Sequence, residues 1–288
     1  MGISIPGVRV GHYTDGEART GCTVVLFPDG TVGSGEIRGG APASREFDLL
    51  SPERTVDRID AAVLTGGSAF GLACADGVMQ HLEEAGVGVP TVAGPVPIVP
   101  TLALFDLMAG DPSVRPTAGN GYAAAAAASE SAELDGLIGA GTGATVDKYL
   151  GTERIRPGGL AYREARAGDV VVGALCAVNA FGGIETGAGT GALAEDITAA
   201  FQEAPFPASP RENTTIGIVI TNARLSKIDT LVLAQGAHDG LARAVTPPHT
   251  RYDGDGFVSA ATGLVDAKVD LVRALAVSAV ADAIRSRA

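Results

Sequence analysis

Residues 211 to 226 read RENTTIGIVITNARLS, a polar step of Asn213, Thr214 and Thr215 that runs at once into a β-branched, apolar segment. Ile, Val and Thr dominate it, which predicts a buried strand. What flanks that strand decides the architecture. Upstream, residues 193–213 (LAEDITAAFQEAPFPASPREN) lose apolar periodicity and gather Pro205, Pro207 and Pro210, as an exposed linker does. Downstream, SKIDTLVLAQGAHDGLARAV predicts a helix with Ser226 and Asp229 spaced as a capping box. A turn (PPHTRYDGDG), a strand (FVSAAT) and a C-terminal helix (LVDAKVDLVRALAVSAVADAIRSR) follow.

The same alternation holds before the linker. CTVVLF and TVGSGEIRG predict short strands, and AAVLTGG leads into SAFGLACADGVMQHLEEAG, a helix with Ser68 as its cap and Gly86 as its stop. GYAAAAAASESAELDG predicts a helix with a small-residue face. DVVVGALCAVNAFGG is apolar enough for a strand buried on both faces. Because an apparently central strand follows the linker, residues 214–288 are expected in the same core as the rest, giving one α/β domain over 1–288. The 40 glycines, 5% aromatics and absent Trp favour close backbone approach over bulky filling.

A formal charge of −12 opposes binding to a phosphate backbone, so nucleic acid is excluded as the expected partner. Cys22, Cys74 and Cys176 are odd in number and widely spaced, which builds neither a disulfide framework nor a CxxC metal site and fits a reducing cytoplasm. The opening MGISIPGVRVGHYTDG carries no basic and apolar export pattern. The most apolar region contains Pro90, Pro95, Pro97 and Pro100, which break any membrane-spanning helix. A protein located in the cytoplasm, with no membrane partner, is expected.

Several motifs have bland and functional readings. GAGTGA occurs at 139–144 and 187–192, and neither copy meets the Rossmann or P-loop pattern, so turns and backbone packing are expected. TGGSAFG around Ser68 misses a nucleophile elbow because Phe70 replaces the second Gly. His12 and His81 are placed near loop or helix positions, His238 mid-helix, and His249 in the turn near carboxylates, each read first as a structural group. Asp253 and Asp255 in DGDG lack the distal acid of a calcium loop and read first as turn chemistry, with the orienting of a catalytic amine or hydroxyl as the alternative. Lys148 in DKYLG reads as a solvated loop lysine. Asn179, directly after an apolar run, either caps a strand end or aims its amide at a developing oxyanion.

Asn213-Thr214 also carries two readings. One is an ordinary β-branched strand start. The other is cleavage of the Asn213–Thr214 bond by the Thr214 hydroxyl, leaving a threonine whose α-amine serves as its own base. An exposed linker before a rigid strand is the setting such a cut requires.

The stretch ENTTIGIVITNARLSK, with AHDGLARAVTPPHTRYDGDGFVSAATG after it and RGGAP, LTGGSAFGL, PIVPTLALFDL, GAGTGATVDK and VNAFG before it, resembles the DmpA-type self-processing peptidases. That family includes L-aminopeptidase D-amidase/esterases, β-peptidyl aminopeptidases and the endo-type nylon-oligomer hydrolase, and the match is colinear over nearly the whole chain. The resemblance implies a four-layer α/β/β/α sandwich similar to the N-terminal nucleophile hydrolases with different connectivity. It implies autocleavage into an α chain (1–213) and a β chain (214–288) that stay together, in a homo-oligomer such as a tetramer of αβ units.

By that resemblance Thr214 is the nucleophile, Asn213 the residue released, Asn179 the oxyanion donor and Lys148 the lysine beside the nucleophile. Asp253 and Asp255 match the pair that orients the nucleophile, and Phe105 and Gly143 fall at the substrate pocket. Phe105 stands where the nylon-hydrolase branch is expected to have Tyr. Short peptides, amino-acid amides or esters, or ω-amino-acid oligomers are the implied substrates, with no metal or organic cofactor. Two alternatives stand beside this: an unprocessed, non-catalytic small-molecule binder on the same scaffold, and a serine hydrolase using Ser68.

Overall fold

A computed structural model of the chain describes residues 2–185 and 213–288. Two five-stranded sheets form its centre. The first sheet contains β1 (Arg9–Asp15), β2 (Thr20–Leu26), β4 (Ala43–Arg45), β5 (Ala61–Thr65) and β6 (Thr101–Ala103), in the order β1-β2-β5-β6-β4. The second contains β3 (Val32–Ile37), β7 (Gly159–Ala167), β8 (Val170–Asn179), β9 (Thr214–Arg224) and β10 (Gly256–Asp266), in the order β7-β8-β9-β10-β3. Within each sheet one neighbouring pair is parallel, β5 with β6 and β9 with β10, and the others are antiparallel.

Strand alternation explains the layering. In β9, Ile216, Ile218 and Ile220 point to one face, where they meet Leu64 and Leu102 of the first sheet in a shared apolar cluster. Val219 points to the other face, into a cluster with Leu233 and Leu241 of α3 (Lys227–Ala242) and Val272 and Ile284 of α4 (Val269–Arg285). On the outer face of the first sheet, Val24, Leu26 and Val63 pack against Val78 and Leu82 of α1 (Cys74–Glu84) and Ala124 and Ala125 of α2 (Ala118–Ala126). Helices, sheet, sheet and helices thus stack in four layers, as the resemblance implied. All ten residues of β8 are buried, matching the expectation of a strand covered on both faces.

Glycine sets the tightest contacts. A Cβ on Gly77 would lie 1.8 Å from the Ala118 carbonyl oxygen, so α1 and α2 cross almost backbone to backbone. In the first GAGTGA copy a Cβ on Gly141 would lie 2.1 Å from Leu160 N and one on Gly143 2.1 Å from Arg19 O, which is the packing role expected of it. The second copy, and all of the 193–213 segment except Asn213, lie outside the described residues.

Two helix starts differ from expectation. Ser68 does not cap a helix: it has φ 54° and opens a 3₁₀ segment, Ser68–Ala73, and α1 begins only at Cys74. Its backbone N–H is taken by Leu104 O, which pulls the chain toward β6 before it can wind into an α-helix. The alanine-rich helix begins earlier, at Ala118, with the Thr117 N–H and hydroxyl both donating to Asn120 Oδ1. It stops at Ala126 because the following chain pairs with β1, Ser129 and Val10 exchanging backbone hydrogen bonds of 2.9 Å. Gly86, with φ 74°, ends α1 as expected. His12 lies on β1, not in a loop or helix, its two ring nitrogens engaged by Thr23 Oγ1 and Glu133 O. Cys22 and Cys74, far apart in sequence, come together in one apolar cluster, and all three cysteines are free and buried. Among the described residues no helix is long and apolar enough to cross a membrane.

Candidate active site

The site forms where β8 and β9 end together. The two strands are antiparallel, and their register sets Asn179, the last residue of β8, directly opposite Thr214, the first of β9. Opposed residues project to the same face with Cβ atoms about 4.5–5.5 Å apart. Alternation from Ile216 and Ala177 makes that face the one between the sheets. Thr214 is 4% exposed and Asn179 fully buried. A buried amide must satisfy its donors and acceptors, and Asn179 does so across three segments. Its Nδ2 donates to Phe105 O at 2.9 Å, and its Oδ1 accepts from Thr145 N at 2.9 Å.

Oδ1 of Asn179 also accepts from Lys148 Nζ at 2.8 Å, while the Asn179 carbonyl accepts from the same ammonium at 3.0 Å. Lys148 is therefore no solvated loop lysine. It sits just after Asp147, which has φ 66°, and that left-handed residue turns the chain so that the lysine reaches the strand end. Beside it a pocket of about 120 Å³ is lined by Phe105, Met108, Ala109, Gly143, Thr145 and Ile155 among others, placing both expected pocket residues at its wall. Asp106 also lines the pocket, with its carboxylate committed to Thr20 Oγ1 (2.8 Å) and Gly67 N (2.7 Å), and burial pushes its pKa up.

The DGDG turn closes the other side. Asp253 and Asp255, both 2% exposed, are each clamped by backbone donors, so they are more than turn residues. Asp255 Oδ1 accepts from Thr215 N at 2.7 Å, and its Oδ2 accepts from His249 N at 3.1 Å and lies 2.9 Å from His249 Nδ1. Asp253 accepts from Phe181 N at 3.2 Å and from Thr250 N at 2.9 Å, with the Thr250 hydroxyl also on its Oδ2. Burial first, and the Asp255 carboxylate second, push Asp253 up to about 6. Between the two aspartates, Gly254 donates its N–H to the Asn213 carbonyl oxygen at 3.0 Å. The Thr214 hydroxyl donates to that same oxygen.

All of Asn179, Lys148, Asn213, Thr214, Asp253 and Asp255 are thus gathered around one peptide bond. His249, read from sequence as structural, belongs to the cluster through Asp255. Thr145 and Gly254 carried no signal of their own, since both act through backbone N–H groups that any residue except proline possesses. His238 is buried in α3 behind His249, ring centroids 4.9 Å apart, and burial pushes it down to about 4, so it stays neutral. Ser68 lies at the Leu104–Asp106 side, held through its backbone. Among the described residues no group of His, Cys, Asp and Glu side chains is arranged to hold a metal ion.

Comparison with known proteins places these features in a family context. The model of peptidase family S58 matches residues 3–286. An uncharacterized aminopeptidase of Mycobacterium tuberculosis is 44% identical over 285 residues, covering 91% of this chain and 81% of that protein. A 6-aminohexanoate-oligomer endohydrolase of Paenarthrobacter ureafaciens is 30% identical over 281 residues, covering 92% of this chain and 75% of that protein. Among solved structures, a β-aminopeptidase of Burkholderia sp. shares the fold with a TM-score of 0.73 at 22% identity, over 98% of this chain and 84% of that one.

Proposed function

The chain belongs to peptidase family S58, hydrolases of peptide and amide bonds, and on that premise we propose that it cleaves itself at Asn213–Thr214 and then hydrolyses small amides through Thr214. The observation that carries this reading is the β8–β9 register, which sets Thr214 opposite Asn179 with Lys148 bonded to the latter. In the mature form the freed α-amine of Thr214, with an ordinary pKa of about 7.7–8.0, takes the hydroxyl proton. The hydroxyl oxygen adds to the substrate carbonyl. Asn179 stabilises the oxyanion and Lys148 holds the Asn179 amide in orientation, after which the amine returns the proton to the leaving nitrogen. Water then releases the acyl group from Thr214.

Asp255 fixes the Thr215 N–H and Asp253 fixes the turn that supports it, so the nucleophile sits on a rigid strand end. Phe105, Met108, Ala109 and Ile155 give the pocket an apolar wall suited to the acyl portion of a short peptide or ω-amino-acid oligomer. The test is turnover of a panel of aminoacyl anilides, β-peptides and 6-aminohexanoate oligomers by three proteins. Wild type and Ser68→Ala are expected to hydrolyse at least one class, and Thr214→Ala none. Loss of activity in Ser68→Ala with retention in Thr214→Ala would transfer the nucleophile to Ser68.

A further inference from the structure

Self-cleavage needs a donor for the charge that builds on the Asn213 carbonyl oxygen, and that oxygen is already occupied in the uncut chain. Gly254 N–H already reaches that ground-state oxygen at 3.0 Å, within hydrogen-bonding distance, so it is in place before charge develops there. We infer that the backbone N–H of Gly254 is the oxyanion donor for cleavage of the Asn213–Thr214 bond. This rests on Thr214 being the self-processing nucleophile.

Three further features favour the assignment. Gly254 is flanked by Asp253 and Asp255, whose carboxylates are tied to Phe181, Thr250, Thr215 and His249, so the N–H is held by bonds on both sides of it. Asn213 and Asp253 also form a parallel bridge, which brings the turn alongside the cleavage site over more than one atom pair. The approach is close enough to require glycine: a Cβ at 254 would lie 2.9 Å from Thr214 Oγ1 and 2.9 Å from Ala41 O.

The step balances without any co-reactant but water. Thr214 Oγ bonds to the Asn213 carbonyl carbon, the C–N bond to Thr214 breaks, and the hydroxyl proton passes to the Thr214 nitrogen. As the carbon becomes tetrahedral its oxygen takes negative charge while hydrogen-bonded to Gly254 N–H. Collapse gives an ester, and water hydrolyses it to the Asn213 carboxylic acid and the Thr214 hydroxyl.

The experiment replaces Gly254 with glycolic acid by nonsense suppression in a cell-free system, exchanging N–H for O at nearly constant shape, and follows the appearance of 214–288. Cleavage slowed by about 10²–10³-fold is expected. Cleavage within a few-fold of the glycine chain overturns the assignment and leaves Thr214 as nucleophile, whereas a glycine chain that never cleaves overturns both. Folding is controlled for by a second measurement on uncut Thr214→Ala. Its Gly254 amide is expected to exchange with solvent far more slowly than an unstructured amide, and exchange at the unstructured rate overturns the assignment independently of any cleavage rate.

Discussion

Asn179 is the residue on which the candidate site turns, because one buried amide joins Phe105, Thr145 and Lys148 at the end of β8. Truncation to alanine removes the donor that we propose stabilises the oxyanion and leaves three partners unmatched. Asn179→Ala is expected to lower kcat/KM by about 2.7–4 kcal/mol, read from steady-state kinetics of the processed enzyme. Asp253 supplies a pH test. Its pKa rises to about 6 in the folded chain from 3.8, so the folded state takes up a proton that the unfolded state does not bind until lower pH. Its contribution therefore makes the fold more stable as pH falls through about 6 toward 3.8. The difference in melting temperature between uncut Thr214→Ala and Thr214→Ala/Asp253→Asn is expected to change across that window, the chain that keeps Asp253 gaining relative to the double variant as pH falls and the carboxyl is protonated. Asn213, Thr214 and Asn179 were legible in the sequence as polar residues abutting apolar runs. His249, Thr145 and Gly254 were not, since what each does depends on a partner brought in by the fold.

At the scale of elements, β8 and β9 were legible because unbroken apolar runs bury both faces, and α3 because Ser226 accepts from Asp229 N as its spacing implied. The starts of α1 and α2 were not. Long-range backbone bonds override local propensity, Ser68 to Leu104 before α1 and Ser129 to Val10 at the end of α2, while α2 starts early on the Thr117–Asn120 cap. The α1–α2 crossing depends on absent side chains, so Gly77→Ala is expected to destabilise despite alanine's better helix propensity. Its Cβ would fall 1.8 Å from the Ala118 carbonyl oxygen, and chemical denaturation should show a loss of about 1–3 kcal/mol from the forced backbone shift. An unchanged or raised midpoint would show that the two helices separate at no cost.

At the scale of the whole molecule, residues 214–288 supply β9 and β10, two of the five strands of the second sheet, together with both helices that cover its outer face. β9 is hydrogen-bonded to β8 of the preceding part over eight register pairs, and its isoleucines fill the space between the sheets. A cut at Asn213–Thr214 therefore leaves the two pieces sharing one core. They are expected to co-elute in native size-exclusion chromatography and to separate only in denaturant. Elution of 1–213 apart from 214–288 without denaturant would show that the sheet does not hold them.

Denaturing mass spectrometry of purified wild type beside Thr214→Ala tests self-processing by Thr214 most directly. Wild type is expected to resolve into polypeptides 1–213 and 214–288 while Thr214→Ala stays whole. A wild-type chain that remains a single 288-residue polypeptide after long incubation would contradict it.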